Sequence, residues 1–501
     1  MTLSEHEELG KTEAALVAAR RENLAALRSR GQDPFAQTRY PVDTNVAEVT
    51  QKYGFLVPEQ HAESENWNLA GRIMAKRRMG KVIFADLADR TGRLQLYVRK
   101  DEIGDDAFAD WVDLDIGDIV GVHGFMFRSK MGELTLHVKS FAVLTKSFLP
   151  LPDKFHGLTD VEKRYRQRYV DLIVNPEVRD AFVMRSRLIA EMRRFIDGYG
   201  FYEVETPTLL HVAGGAAARP FVTHVNALDQ QMQLRIATEL NLKRLIVGGL
   251  ERVYEIGRIF RNEGIDTTHN PEFTMLELYA AYWDVNDMMQ FNEELIAHLV
   301  GTVTGGADEL QLGDRTISFK RPFRKLEYLE GLREHGGFSR HELLDPQKAA
   351  NILTSLGLPE SPTHGHALDK IFERVLEPHL LEPTFVTGYP VVISPLAKRR
   401  AADPEITDRY ELFGANMELS NAFTELNDPD DQRKRFEAQI AERAKGDEEI
   451  PEPDWDFVRA LEYGMPPTAG IGIGVDRLIM LLTNNHSIRD VVLFPLQKQH
   501  G

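Results

Sequence analysis

The residues best suited to chemistry lie between positions 260 and 279, where charged groups and aromatic rings interleave. Arg261 and Glu263 follow an apolar run, and a polar loop separates them from His269. If two strands bracket this loop, alternation along the second strand places four side chains on one face: Phe273, Met275, Glu277 and Tyr279. Aromatic, carboxylate and phenol groups facing an arginine across a hairpin indicate a nucleotide pocket. The alternative interpretation is a half-buried strand with a salt-bridged loop.

A second candidate is the glycine-rich segment at 470–480, which reads GIGIGVDRLIM. Glycines such as Gly472 let a ligand or another backbone approach closely. The spacing differs from the dinucleotide and P-loop fingerprints, so it excludes both folds. Arg477 opens an otherwise apolar helix, and a planar guanidinium can stack on a base or bind phosphate. The alternative is a buried ion pair of Arg477 with a carboxylate such as Asp476 or Glu418.

Carboxylates recur in a third segment, between 411 and 425. Asn421, Phe423 and Glu425 alternate onto one strand face, whereas Glu418 is out of phase, which predicts an intervening bulge or turn. Beside a nucleotide, Glu411 and Glu418 are suited to Mg²⁺, which takes one or two carboxylates and completes its shell with phosphate and water. A charged, solvated strand edge is the alternative.

Two kinds of structure must position these residues. Between 67 and 144, short alternating runs punctuated by glycines predict a small β-barrel of the five-stranded OB type. Further on, predicted strands at 252–260, 272–282, 385–396 and 411–426 form hairpins between helices. That order favours an antiparallel sheet with flanking helices. The expected fold class is α+β.

The same patterns set the expected domain boundaries. We predict an N-terminal helical extension over 1–65, an OB-fold domain over 66–148 and a linker over 149–175. A catalytic domain over 176–501 follows, with a helical insertion at about 285–381. Individual helices are predicted at 11–30, 178–199 and 476–482.

Composition limits the class of protein. The chain of 501 residues has 43% hydrophobic residues, which is ordinary for a globular core. It contains no cysteine, and its first residues are unlike a signal peptide, so we expect a cytoplasmic protein. No apolar run suits a membrane span, so no membrane partner is expected. The net charge of -17 opposes general affinity for nucleic acid, but basic residues concentrate between 71 and 100, which indicates a local basic patch.

Taken together and in order, these segments resemble the three signature motifs of class II aminoacyl-tRNA synthetases. Residues 200–209 are similar to motif 1, residues 260–273 to motif 2 and residues 470–480 to motif 3. A β-barrel before the catalytic domain resembles the subgroup for aspartate, asparagine and lysine. Runs at 164–172, 214–221, 260–279 and 421–427 are most similar to lysyl-tRNA synthetases. The implied function is activation of L-lysine with ATP and its transfer to tRNA-Lys.

The resemblance implies a role for each candidate residue. Arg261 and Arg477 are the catalytic arginines, with Arg261 bridging the α-phosphate and the lysine carboxylate. Phe273 and Arg477 would sandwich adenine. The remaining ATP residues are Glu263, His269 and Gly472. Glu411 and Glu418 would ligate Mg²⁺, and zinc is not expected. The lysine site would comprise Gly215, Glu239, Tyr279, Asn421, Phe423 and Glu425.

The barrel is implied to bind the anticodon. Unpaired bases stack on aromatic side chains and are bonded at their edges. By resemblance, Phe84 is the stacking platform and Gln95 reads a base edge, with Arg77, Arg78 and Glu133 as further candidates. The alternative for Phe84 is an aromatic residue of the barrel core. Motif 1 also implies a homodimer.

The predicted side-chain pocket favours a cationic substrate, because a buried ammonium needs charged hydrogen-bond partners. Glu425 is present, and no basic residue lies between Glu418 and Asn427. The rival hypotheses are an aspartate or asparagine enzyme, an enzyme that lysylates a protein, and a catalytically dead RNA-binding relative. Met417 and Ala217 depart from the usual pattern, which puts fine tuning in doubt.

Overall fold

The computed structural model describes residues 3–152, 158–444 and 450–498, with side chains from residue 13 onward. The chain divides into two compact units, Met1–Leu158 and Thr159–Gly501, called here the N-terminal and C-terminal units. Parts of the predicted linker (153–157), the first two residues and positions 445–449 and 499–501 of the predicted catalytic domain lie outside the described residues. None of the described helices is long and apolar enough to cross a membrane.

The N-terminal unit is built on a closed five-stranded barrel in the order β1-β2-β3-β5-β4. On β2 the burial alternates, so that Ile83, Ala85 and Leu87 fill the core while the residues between them face outward. The OB-type prediction is therefore confirmed. The elements are α1 (Leu3–Ser29), α2 (Val46–Tyr53), β1 (Trp67–Met79), β2 (Val82–Ala88), β3 (Arg93–Arg99), α3 (Lys100–Ile103), α4 (Asp105–Asp113), β4 (Ile119–Arg128) and β5 (Leu134–Thr145).

The C-terminal unit begins with helices and short strands that lead into its large sheet. These elements are α5 (Val161–Arg166), α6 (Arg168–Val174), α7 (Pro176–Gly198), β6 (Tyr202–Glu203), β7 (Leu209–Leu210), β8 (Val222–Val225), β9 (Gln230–Leu234), α8 (Glu239–Val247), β10 (Arg252–Phe260), β11 (Glu272–Ala281) and α9 (Val285–Thr304). The predicted helix at 178–199 and both predicted hairpin strands are confirmed.

The second half of the unit completes the sheet. Its elements are β12 (Glu309–Leu312), β13 (Arg315–Ser318), β14 (Arg324–Glu327), α10 (Tyr328–Gly336), α11 (Arg340–Leu344), α12 (Pro346–Ser355), α13 (His364–Val375), β15 (Thr384–Thr387), β16 (Arg399–Arg400), β17 (Asp403–Thr407), β18 (Arg409–Gly414), β19 (Met417–Thr424), α14 (Pro429–Arg443), α15 (Trp455–Glu462), β20 (Thr468–Gly474), α16 (Val475–Leu482) and α17 (Ile488–Val491).

The main sheet has eight strands in the order β14-β15-β18-β19-β20-β11-β10-β6. Its six central strands are antiparallel, and a parallel strand closes each edge. One face packs on α7, α9 and α16 through a core that includes Leu276 and Leu278 of β11. Because side chains alternate, the intervening residues of β11 point to the other face, which carries the candidate site.

The segment at about 285–381, predicted as a helical insertion, is largely helical through α9 to α13, and it also contains the short strands β12, β13 and β14. One sequence prediction for this unit needs correction. The strand predicted at 385–396 is only β15, because Pro390 precedes a short 3₁₀ turn at Val391–Ile393 and a proline cannot donate to a central ladder. The predicted irregularity near Glu418 is confirmed: pairing of β18 with β19 shifts between Leu412 and Phe413.

Candidate active site

A cavity of about 360 Å³ opens on the face of the sheet opposite the helices. Its floor is made by three neighbouring strands in register, with Glu277 and Asn421 flanking Gly472 from opposite sides. Tyr279 and Phe423 flank Gly470 in the same way. The cavity is lined by most of the predicted ATP and lysine residues, which come from several segments between Gly215 and Arg477.

The glycines of β20 are required because neighbouring side chains leave no room for a Cβ. A Cβ built on Gly470 would overlap the Tyr279 ring and Glu425 Oε1, and one on Gly472 would overlap the Met275 side chain. Neighbouring side chains therefore occupy the space above the central strand. The GIGIG pattern is explained by its place on the cavity floor: glycines face the site while Ile471 and Ile473 face the core.

Arg261 lines the cavity and forms no ion pair with a carboxylate among the described residues. Its Nε donates to the Ile236 carbonyl at 3.4 Å, and its guanidinium lies 5.2 Å from the centre of the Phe273 ring. Burial lowers the pKa of Arg261, although the charges of Glu263 and Glu418 oppose that shift. A buried, unpaired guanidinium beside an aromatic face is suited to bind an anion that enters the cavity.

Arg477 does form the ion pair that was the alternative interpretation of its sequence position. Its Nη1 donates to Glu418 Oε2 at 3.1 Å, and its Nη2 lies 3.0 Å from His269 Nε2. Asp476, the other candidate, pairs instead with Arg185. Because the Glu418 side chain is 39% exposed, solvent and ligands can reach this pair.

The carboxylates predicted to hold a metal face each other across the cavity. Burial raises the pKa of Glu411, and the negative charge of Glu418 raises it further. The positive charge of Arg409 lowers the same pKa. Arg409 Nη2 donates to Glu411 Oε1 at 2.6 Å and the Tyr389 hydroxyl donates to Oε2 at 2.8 Å, which fixes this carboxylate.

Mutual repulsion of two oxygen donors fits a hard cation placed between them. Among the described residues, no group of three or more His, Cys, Asp or Glu is arranged to hold a metal. Two carboxylates are the kind of protein ligand that Mg²⁺ takes when phosphate and water complete its shell.

At the other end, the cavity is acidic. Glu239 and Glu277 line it together with Tyr279, Asn421 and Phe423. Gly215 also lines it, with a φ of +92° and its Cα so close to Glu239 that a Cβ would stand 3.0 Å from the Glu239 Cβ. Only glycine adopts this positive φ readily and also lacks the Cβ that would crowd Glu239.

Glu425 adjoins this end without being part of the lining, and its Oε1 lies on the cavity side of Gly470. It is fully buried, and its Oε1 accepts no hydrogen bond from the described residues. With Glu239 and Glu277 it forms what we call the acidic cluster. Burial raises the pKa of all three carboxyls, that of Glu277 to about 7.

No basic residue lies between Glu418 and Asn427, but Lys243 on α8 reaches Glu425 from a distant part of the sequence. Its side chain is fully buried; Nζ lies 2.5 Å from Glu239 Oε1 and also contacts Glu425 Oε2. Its spacing of four residues from Glu239, which suits a helix, is a signal that sequence reasoning missed. The contact with Glu425 has no local signal.

The barrel carries a separate candidate site. Arg77, Phe84, Tyr97 and His137 are cross-strand neighbours in one row of the outer face. Phe84 lies 5.2 Å from Tyr97 between ring centres, and it is half-buried outside the core, so the core interpretation is wrong.

Other predicted barrel residues are arranged less uniformly. Gln95 shares the outer face and accepts a hydrogen bond from the Thr135 hydroxyl at 3.0 Å. Glu133 is exposed beside the start of β5. Arg78, in contrast, pairs with the core residue Ile83 and lies over Phe108, away from the aromatic row. Tyr97 was missed by the sequence analysis, although alternation with Gln95 points to it.

A six-stranded antiparallel core with a glycine-floored cavity and two facing arginines defines a class II aminoacyl-tRNA synthetase domain. Residues 160–498 match the family model for class II tRNA synthetases (D, K and N), and residues 67–144 match that for the OB-fold nucleic acid binding domain. The chain belongs to this synthetase family.

Relatives of the chain align over nearly its whole length. The lysine--tRNA ligase of Halalkalibacterium halodurans is 52% identical over 99% of this chain and 98% of its own length. The lysine--tRNA ligase of Staphylococcus saprophyticus is 50% identical, covering 96% and 98%, and that of Shouchella clausii is 50% identical, covering 96% of each chain.

Proposed function

We propose that this chain is a lysine--tRNA ligase: it activates L-lysine with ATP and transfers it to tRNA-Lys. The observation that carries the proposal is a single cavity with unpaired Arg261 at one end and the acidic cluster at the other. An aminoacyl-adenylate whose side chain ends in an ammonium matches that polarity. The full-length similarity to lysine--tRNA ligases supports the same substrate.

The first step joins the amino acid to the nucleotide. The lysine carboxylate attacks the α-phosphorus of ATP and pyrophosphate leaves. In the proposal, Arg261 binds the carboxylate and the α-phosphate together, and Phe273 and Arg477 hold the adenine ring between them. Glu263 and Gly472 bound the adenosine, and His269 reaches the terminal phosphates. The rate then comes from positioning and from stabilising charge that develops on phosphate oxygens.

A divalent cation would be held by Glu411 and Glu418. We propose Mg²⁺ because both donors are carboxylates, and when bound it neutralises phosphate charge. Arg409 and Tyr389 keep Glu411 oriented toward the cavity. Arg477 donates to Glu418 and so keeps the second carboxylate beside the first.

The second step transfers lysine to RNA. The terminal ribose hydroxyl of tRNA attacks the adenylate carbonyl and AMP leaves. We propose that the barrel binds the anticodon through its row of Arg77, Phe84 and Tyr97, with Gln95 and Glu133 contacting base edges. An aromatic row beside an arginine is suited to stack unpaired bases.

Assembly and location are also proposals. Exposed apolar side chains lie within the first motif, with Tyr202 65% and Leu209 42% exposed, and a second copy of the chain would cover them. We therefore propose a homodimer. The absence of cysteine suits the cytoplasm.

The test is ATP–pyrophosphate exchange with each of the twenty amino acids. We expect exchange with lysine and little with aspartate or asparagine. Exchange that depends on aspartate or asparagine would favour the other enzymes of the family, and none with any amino acid would favour a catalytically dead relative. Charging of tRNA-Lys, rather than of a protein, tests the second step.

A further inference from the structure

Lys243 contacts the acidic cluster from the side that faces away from the cavity. It is fully buried and absent from the lining, whereas Glu239 and Glu277 are part of it. Phe423 and Phe457 enclose its ammonium, with ring centres 5.4 Å and 5.6 Å from Nζ. A ligand that enters the cavity therefore meets the carboxylates from the opposite side.

The charges near the cluster do not balance. Glu239 and Glu425 share the ammonium of Lys243, whereas Glu277 accepts hydrogen bonds from the Thr238 N–H at 2.9 Å and from the Tyr279 hydroxyl at 3.2 Å. Arg409, the other nearby cation, has Glu411 as its own carboxylate partner. One oxygen of Glu425 is buried without a donor among the described residues. The cluster thus retains excess negative charge that a further cation would neutralise.

A buried carboxylate without a countercharge takes up a proton and becomes neutral. Without Lys243, the cluster would be largely protonated in the empty protein. A protonated cluster offers little to an ammonium and tolerates an uncharged side chain. The pairing of Lys243 with Glu239 and Glu425 prevents this, because its charge favours the ionised form of both.

We propose that Lys243 is a positioning residue that sets substrate specificity: a built-in cation that keeps Glu239 and Glu425 ionised yet incompletely neutralised, so that they select an ammonium. This inference rests on the proposed function, because it assumes that the amino acid side chain enters at Glu239. Lys243 touches neither substrate in this account and acts through the two glutamates.

The test is pyrophosphate exchange by the full-length Lys243→Met variant with L-lysine and with 2-aminoheptanoate, in which a methyl group replaces the ammonium. We expect the KM for lysine to rise on the order of tenfold, with the KM for ATP unchanged. Preference for lysine over the uncharged analogue should fall by a similar factor. The lysine KM of the variant should decrease as pH rises, because binding then requires loss of protons from the cluster.

Lys146→Met is the matched control, because Lys146 is also a buried lysine paired with two carboxylates, Asp115 and Asp118, in the N-terminal unit. It should leave the KM for lysine and the preference over the analogue unchanged. If Lys243→Met does not fold, Lys243→Gln is measured in its place, because it removes the charge but keeps a hydrogen-bond donor. It should lose the preference for lysine in the same way.

The outcomes separate the two proposals. Wild-type protein that does not activate lysine would overturn both. Wild-type activation of lysine, combined with an unchanged lysine KM and preference in Lys243→Met, would overturn this inference alone. Tighter lysine binding by that variant would do so too, since Lys243 would then compete with the substrate. An unchanged lysine preference in Lys243→Gln would also contradict the inference.

Discussion

At the level of single residues, the cavity contains charged groups that are largely shielded from water and have too few partners of opposite charge. Arg261 has no carboxylate partner among the described residues, and the acidic cluster has more carboxylates than ammonium groups. Burying a charged group without a partner costs free energy unless a ligand supplies the opposite charge. The two ends of the cavity therefore demand opposite charges, which is the polarity of lysyl-adenylate.

Arg261→Ala should reduce the rate of adenylate formation on the order of 100-fold or more, because it removes a donor from the reacting phosphate. ATP–pyrophosphate exchange with lysine measures this. Arg315→Ala, at an exposed arginine of β13, is the control and should behave as wild type. Near wild-type exchange by Arg261→Ala would remove this arginine from the mechanism.

Glu277→Gln should change how stability depends on pH. Burial raises the pKa of Glu277 from 4.5 to about 7, so the folded protein binds more protons than the unfolded chain between these values. The free energy of unfolding therefore falls as pH rises through this window. In the variant, this decrease in the free energy of unfolding should be smaller by about 2 kcal/mol. The value is based on roughly 1.4 kcal/mol per pKa unit, reduced because the folded protein relaxes around the charged group.

Urea unfolding at about pH 5 and pH 8 measures the difference. Glu330→Gln is the control, because Glu330 is an exposed partner of Arg333. An equal pH dependence in wild type and Glu277→Gln would mean that this carboxyl is ionised at neutral pH.

At the scale of elements, the central strand β20 sets the shape of the site. Its glycines leave room for the side chains of β11 and β19 on either side. The helices behind the sheet fix its other face through Leu276, Ile471 and Leu478. Small changes in β20 should therefore be transmitted directly to the acidic end.

Gly470→Ala should destabilise the protein by about 1–3 kcal/mol, the cost of overpacking, and weaken lysine binding. The added methyl would overlap Tyr279 and Glu425. Thermal unfolding and the KM for lysine measure the two effects. Gly198→Ala, at the end of α7 where a Cβ meets nothing within 4 Å, is the control and should not destabilise. Equal behaviour of the two variants would show that the floor is not tightly packed.

The elements that could be predicted are those with a strong local period. Strands β10, β11, β18 and β19 and helix α16 were within reach because alternation or helical spacing marks each of them. Strands β12, β13 and β14 were missed, since each has only four residues, which is too short for alternation to distinguish a strand from a loop. The pairing of Lys243 with Glu425 was out of reach for a different reason: only the tertiary fold joins α8 to the end of β19.

In the whole molecule, the two proposed binding sites belong to different units. The C-terminal unit holds the cavity, and the N-terminal unit carries the aromatic row of the barrel. The net charge of -17 means that RNA must be attracted locally, since distant charges are screened by salt. This separation predicts that each half-reaction can be changed without the other.

Phe84→Ala should raise the KM for tRNA on the order of tenfold or more, since stacking of one base contributes about 1–3 kcal/mol. Pyrophosphate exchange should stay at the wild-type rate. Aminoacylation of tRNA-Lys and exchange, measured on the same preparation, separate the two steps. Phe55→Ala is the control, because Phe55 is 71% exposed and is not part of the aromatic row. An unchanged KM for tRNA would exclude Phe84 as a stacking platform.

The most direct test of the central claim is a crystal structure with a non-hydrolysable lysyl-adenylate analogue. We expect adenine between Phe273 and Arg477, the phosphate mimic on Arg261, and the ligand's ammonium against Glu239 in the acidic cluster. An analogue bound with its ammonium directed away from Glu239, or with no adenine near Phe273, would contradict the account.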